Sequence, residues 1–438
     1  MKRIAGYGCI LTGLCLWAGQ ACGQEGTAPK IDTGDTAWML ASAALVLFMT
    51  PGLALFYGGM TRHKNVLSSI MHSFFIMGII SIQWVVVGYT LAFGPDIGGV
   101  LGGLDHLFLS GVGQEPSPFA PTIPSLAFMM YQGMFAVITP ALISGAFAER
   151  MRFGPFIVFT LLWATLVYDP LAHWVWGGGW LGVGQLGALD FAGGTVVHIS
   201  SGIAALAAAL VLGRRLGWPK EQIIPNNLPF TVAGAGILWF GWFGFNGGSA
   251  LAASGLAASA FAATHIAAAA ATITWALAEY LQRGKASVLG AASGSVAGLV
   301  AITPASGFVG PMSALVIGGV AGALCYYAVS VKFSVGYDDA LDVVGVHGVG
   351  GTWGALATGL FATTLVNPAP TGADGLLFGN PGQLVIQAIG ALTTIVYSFV
   401  LTYVLLKVVD ATMGLRASEE EEVMGLDLSQ HGERAYGL

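Results

Sequence analysis

Charge is what this chain has least of. Its 438 residues include 16 Lys and Arg and 22 Asp and Glu, together 9% of the sequence, against about 25% in ordinary soluble domains. That is too little to cover the surface of the two or three soluble domains the length would allow, and it excludes such an architecture. No basic stripe exists, so nucleic acid is excluded as a partner. Cysteine is scarce too: Cys9, Cys15 and Cys22 lie at the N-terminus and Cys325 stands alone beyond them. If the N-terminal stretch is a leader, no disulfide framework can form within one mature chain. What fills the sequence instead is apolar, with 55% hydrophobic residues and a mean hydropathy of +0.76. The solvent for most of it is lipid.

The N-terminus carries Lys2 and Arg3, then an apolar stretch from Ile4 to Ala18, then Gly19, Ala21 and Gly23. This is the layout of a cleaved signal peptide. The expected organisation is therefore a leader over 1–23, a short external segment over 24–36, a membrane domain over 37–410 and a cytoplasmic tail over 411–438. The tail includes the acid run Glu419 to Glu422, which contributes much of the net charge of -6.

A spanning helix needs about 20 mostly apolar residues. Eleven such stretches follow the leader, near 37–59, 66–93, 125–147, 154–176, 195–213, 227–246, 256–281, 287–302, 312–331, 343–365 and 384–409. A transmembrane β-barrel would instead show segments of about 10 residues with alternating polarity. The fold class expected is thus an all-α polytopic membrane protein. Beyond the leader and Lys30, every Lys and Arg falls in alternate connections or in the tail, save Lys407 at the inner end of the last span, and 94–124, 177–194, 247–255, 303–311 and 366–383 have none. The positive-inside bias then puts the mature N-terminus outside and the C-terminus inside, a parity that requires an odd number of spans.

Ionisable residues inside a membrane are costly and so are candidates for function. Two of them share a pattern, Val197-His198-x-x-x-Gly202 and Val346-His347-x-x-x-Gly351, in the fifth and tenth spans. An interval of five spans makes the two helices cross in opposite directions. That is the layout of an inverted repeat, spans 1–5 against 6–10 with one helix added, and such folds place their pathway at the repeat interface. From the residues alone, two pore imidazoles and two buried histidines satisfied by hydroxyls or carbonyls are both admissible. A zinc site needs a third ligand, and no Cys, Asp or Glu lies one turn from either His, so no metal or other cofactor is expected. No nucleophile accompanies the pair, so no enzyme is expected either.

Around these histidines the sequence resembles the ammonium transporter (Amt/Rh) family, and its Amt branch. The matching segments include Tyr131-Gln132-Gly133-Met134-Phe135-Ala136, Gly145-Ala146-Phe147-Ala148-Glu149-Arg150, Trp176-Gly177-Gly178-Gly179, Asp190 to His198, Gly241-Trp242-Phe243-Gly244-Phe245-Asn246 and Asp342 to Gly348. The resemblance implies an eleven-helix protomer in a homotrimer, with one pore per protomer. It implies that Trp176, Ser249, Phe135 and Tyr131 form an outer recruitment site for ammonium. Phe135 and Phe245 are expected to close the pore, with His198, His347, Trp242 and Thr303 lining it. Asp190 is expected to support the outer site, and Asp342 to cap the tenth span. Ammonium would be recruited, deprotonated and passed on as ammonia, in the inner membrane of a bacterium.

The tail, from Asp410 through Gly425-Leu426-Asp427, also resembles the Amt tail. A PII-type signal protein is the partner this implies, and Ser429 stands where some relatives carry a phosphorylatable Thr. Two rival functions remain: an Rh-like channel for neutral ammonia, against which Trp176 and Ser249 argue, and an ammonium sensor with little flux. The known sensors carry a further cytoplasmic domain, for which a tail of about 28 residues leaves no room.

Overall fold

The computed structural model describes residues 30–368 and 374–437. The expected leader and its three cysteines, and residues 24–29 of the external segment, lie outside the described residues. Cys325 is a free, buried thiol.

The chain folds as a helical bundle. Nine helices among the described residues are long and apolar enough to cross a membrane: α1 (Thr33–Met60), α2 (Val66–Phe93), α3 (Ser125–Phe147), α4 (Phe153–Val175), α5 (Gly194–Leu212), α6 (Leu228–Gly248), α7 (Gly255–Arg283), α9 (Pro311–Val335) and α11 (Pro381–Met413). Two further helical segments take the places of the remaining expected spans. These are α8 (Val288–Ile302) and α10 (344–361), the latter a π-helical turn running into an α-helix. The short helices α12 (Glu419–Met424) and α13 (Leu426–His431) follow in the tail.

The bundle inverts the soluble pattern. Large apolar side chains such as Phe74, Ile82, Ile273, Leu281 and Leu392 point outward and exposed, whereas Ser, Thr, Gln, Asp and His are frequent inside. Lipid has no hydrogen bonds to offer, so polar groups gather where protein can satisfy them. Prolines at 51 and 140 sit within α1 and α3, which membrane helices tolerate when neighbours satisfy the freed backbone.

Helix α1 packs most heavily on α6, and α5 packs on α10. Each element thus lies against its own counterpart five spans away, the pairing that a two-fold relation between spans 1–5 and 6–10 produces. Glycines make it possible. A Cβ on Gly202 would collide with the backbone of Gly348, and one on Gly351 would come within 2.9 Å of His198 Cβ. Each half of the repeated motif uses its glycine to admit the other half, as small residues do wherever membrane helices approach closely.

The two ends of the bundle differ. One end carries buried ion pairs: Glu149 with Arg62 at 2.7 Å, and Asp338 with Arg215 at 2.8 Å. Arg150 is buried there too, and donates to the Asp338 carbonyl at 2.6 Å. Burial lowers the Arg150 pKa to about 10. Burial pushes the Asp338 carboxyl up, but the Arg215 hydrogen bonds and charge outweigh it and hold the group below its ordinary value. The tail docks at this end. Lys64 Nζ donates to the Glu422 and Val423 carbonyls at 2.8 and 2.7 Å, and Asp427 accepts from Ser68 N at 2.8 Å at the start of α2. The other end is built from two antiparallel hairpins, β1 (Asp96–Ile97) with β2 (Leu101–Gly102) and β3 (Pro116–Ser117) with β4 (Ala120–Pro124), and from the glycine-rich connection before α5.

Candidate functional site

At the hairpin end a vestibule of about 640 Å³ opens, walled by Trp176, Phe135, Ser249, Phe128, Phe119 and Gln132 among others. Trp176 ends α4, and its Nε1 donates to the Asp190 carbonyl at 2.9 Å, which fixes the indole plane. The Phe135 ring stands edge-on to Trp176 at 5.9 Å between centroids. Its other face lies against Phe245 at 4.2 Å, tilted by 32°. Phe135 lines the vestibule and Phe245 lies behind it, lining the space beneath; both are buried, at 1% and 0% exposure.

Ser249 lies just past α6. Its hydroxyl donates to the Phe245 carbonyl at 2.9 Å, which leaves the oxygen free to accept from a ligand, because its one hydrogen is used. Tyr131 is not among the vestibule walls. Its hydroxyl reaches the Gly244 and Phe245 carbonyls at 3.0 and 2.7 Å and Ser249 Oγ at 3.1 Å, and its ring packs edge-on to Phe135 at 5.0 Å. The expected cation contact is therefore replaced by a supporting position behind Ser249 and Phe135.

Below the Phe135/Phe245 pair the space narrows to a cavity of about 10 Å³, lined by His198, His347, Trp242, Phe245 and aliphatic side chains. That is room for roughly one water-sized molecule. Nδ1 of His347 faces Nδ1 of His198 at 3.2 Å, and His198 Nε2 faces Thr303 Oγ1 at 3.3 Å. The Thr303 hydroxyl donates to the Leu299 carbonyl at 2.8 Å and accepts from Trp242 Nε1 at 2.9 Å. Its remaining lone pair can only accept, so His198 carries hydrogen at Nε2 and offers Nδ1 as acceptor. His347 then donates from Nδ1, and its Nε2 is left as an unprotonated acceptor.

Both histidines ride on π-helical turns, Gly194–Ile199 and Val344–Val349. Such turns insert a residue and re-aim side chains. The first is capped by Asp190, which accepts from Gly193, Gly194 and Thr195 N at 2.8, 2.6 and 2.8 Å, and from the Thr195 hydroxyl. Burial pushes the Asp190 carboxyl above its ordinary value, while these bonds pull it back. The second is capped by Asp339, whose Oδ2 accepts from Val344 N at 2.7 Å. Asp342 does not take that role. Its backbone is left-handed, with φ of +64°, and its carboxylate turns to Lys332 Nζ at 2.5 Å.

Reasoning from sequence did not single out Gln132 or Asp339. Gln132 is a polar residue in an apolar span, which is the signal that could have marked it. Asp339 sits one turn before the segment compared with Asp190. The other buried histidines stay apart from this site. His173 bridges the Ala92 carbonyl at 3.0 Å and Asp96 at 2.8 Å, and His72 lies among Phe147, Phe153 and Phe156. No group of three His, Cys, Asp or Glu side chains able to hold a metal collects among the described residues.

A profile of the Ammonium Transporter Family matches residues 37–436. The chain is 56% identical over 404 residues to an ammonium transporter of Bacillus subtilis, covering 92% of this chain and 98% of that one. Its fold matches the crystal structure of Candida albicans Mep2 with a TM-score of 0.85 at 40% identity, over 93% of this chain and 91% of the other. It also matches a solved sensor Amt protein, with a TM-score of 0.84 at 32% identity, over 91% and 98%. The aromatic vestibule, the stacked rings and the paired imidazoles therefore belong to a member of the ammonium transporter family.

Proposed function

We propose that this protein transports ammonium by taking up the ion in the aromatic vestibule, where it gives up one proton to the outer solution, and passing neutral ammonia through the Phe135/Phe245 gate and along His198 and His347. The observation that carries the reading is the contrast across the gate. An open, aromatic-walled space of about 640 Å³ gives way to an apolar cavity of about 10 Å³ that two imidazoles line. Trp176 and Phe135 attract a cation through their ring faces, worth about 0.5–2 kcal/mol, and Ser249 Oγ accepts one of its N–H bonds. Potassium would gain the first term and not the second.

A bare cation moved into the cavity below would lose its hydration without replacement, at a cost of many kcal/mol, and an ionisable species so placed neutralises instead. Ammonia carries no charge to solvate and needs an acceptor for an N–H, which His347 Nε2 supplies.

The Lys- and Arg-bearing end faces the cytoplasm in this reading, as the positive-inside bias requires, within the bacterial inner membrane. The protein assembles as a homotrimer, and a PII-type signal protein docks on the end where the tail lies. Nucleotide-dependent retention of the cognate PII protein on the purified transporter is the expected result, and no retention with any nucleotide removes that partner.

Uptake into vesicles tests the transport reading. Wild type should take up ammonium saturably, with no competition from potassium, and Trp176→Leu should lose saturation at low ammonium. Uptake that follows dissolved ammonia alone, unchanged in Trp176→Leu, would mean a neutral gas channel. Ammonium binding without flux would favour a sensor, a function named for one of the structural matches.

A further inference from the structure

Asp169, within α4, is fully buried at 0% exposure, and the transport reading does not use it. Gln83 Nε2 on α2 donates to its Oδ2 at 2.8 Å and to Thr165 Oγ1 at 3.1 Å. The Thr165 hydroxyl donates onward to the Leu161 carbonyl at 2.9 Å. Every hydrogen of the Gln83 amide and the Thr165 hydroxyl is thereby placed. Two buried oxygens remain without a donor, Asp169 Oδ1 and Gln83 Oε1.

No ion pair among the described residues includes Asp169. The titratable neighbours are committed elsewhere or do not reach it. Tyr168 adjoins it in the chain, Tyr397 on α11 donates to the Leu166 carbonyl at 2.8 Å, and His173, one turn on, is held by Ala92 and Asp96.

An ionised Asp169 would leave two buried acceptors with no donor on two side chains already joined by one hydrogen bond, in a place where a bare carboxylate is costly. A single proton on Oδ1 closes the count. The acid O–H is the donor that Gln83 Oε1 lacks, and with the existing Nε2–H to Oδ2 bond it makes a cyclic acid–amide pair in which every polar atom is satisfied. The backbone is shaped around this spot. A π-helical turn follows Gln83 directly, at Trp84–Gly88, and another directly precedes Asp169, at Ala164–Tyr168. The two turns touch, and π turns recur at functional positions in helices.

We propose that Asp169 is a proton-binding site, a neutral carboxylic acid paired cyclically with Gln83 that clasps α2 to α4. Its ligand is one proton, and it stands apart from the histidine pair.

Infrared spectroscopy of the full chain in lipid vesicles at neutral pH tests the assignment. Wild type should show a protonated-acid carbonyl band that shifts in heavy water, is missing in Asp169→Asn and moves in Gln83→Leu as its hydrogen bond is lost. Loss of carboxylate bands in Asp169→Asn instead would overturn it, and would mean that water or a cation such as ammonium sits between the two oxygens. Melting temperature gives an independent reading should Asp169→Asn fail to fold. Gln83→Leu and Asp169→Leu should each lower it, while the double variant regains part of the loss because no orphaned polar group is left. Purely additive losses would contradict the clasp.

Discussion

His198 and His347 stand on matching π-helical turns, but His198 is held on several sides and His347 on one. His198 bonds Thr303 through Nε2, bonds His347 through Nδ1 and stacks on Trp242 and Phe245 at 5.4 and 6.0 Å. His347 has the shared Nδ1 contact. Their caps differ in the same sense. Asp190 collects several backbone N–H groups and a hydroxyl, whereas Asp339 Oδ1 is buried without a partner and burial raises the Asp339 pKa to about 6. A sequence repeat thus yields two unequal halves, with more side-chain partners around His198 and Asp190 than around His347 and Asp339.

The largest expected effect breaks both halves together. Gly202→Val has no room against the Gly348 backbone, so folded protein should vanish in size-exclusion chromatography. Gly348→Ala should persist, because a Cβ there meets Gly202 only at ordinary contact, 3.5 Å. The caps come next. Asp190→Asn places an amide against backbone N–H groups and should lower stability by about 2–4 kcal/mol, several charge-assisted bonds being weakened at once. Asp339→Asn should change it by about 1 kcal/mol or less at neutral pH. Chemical denaturation in detergent measures both, and equal losses would erase the asymmetry.

A subtler effect concerns proton placement. Thr303→Val removes the acceptor that keeps hydrogen on His198 Nε2, and should cut ammonium flux several-fold without unfolding the protein. Unchanged flux would mean that the tautomer is set some other way. The same cap should also show in the pH dependence of stability at Asp339. Its folded pKa lies near 6, above the ordinary carboxylate value, so the folded state binds the proton more tightly than the unfolded chain. Its contribution to stability is present at low pH and fades as pH rises through 6, by up to about 3 kcal/mol at 1.4 kcal/mol per pH unit. The melting temperature of wild type relative to Asp339→Asn should therefore fall between about pH 4 and pH 6 and level off above.

The spans were legible because lipid demands long apolar runs, and the observed helices begin and end within a few residues of those runs. The histidine repeat was legible as a motif. That its glycines admit the opposite half was not, because the contact joins residues about 150 positions apart. Asp342 was mistaken for the cap because it adjoins the motif, while its left-handed backbone turns the carboxylate toward Lys332. Tyr131 illustrates the same limit: an aromatic ring at a site position can serve as wall or as support, and only the bonds of its hydroxyl decide. The π-helical turns leave no periodic signal over five or six residues.

If ammonia crosses between the two imidazoles, the most direct test is the pH rise inside reconstituted vesicles after an ammonium jump. Wild type should give a saturable signal with ammonium and none with potassium, and His198→Ala/His347→Ala should lose that ammonium selectivity or the signal itself. A double variant that keeps the wild-type signal and selectivity would contradict the account.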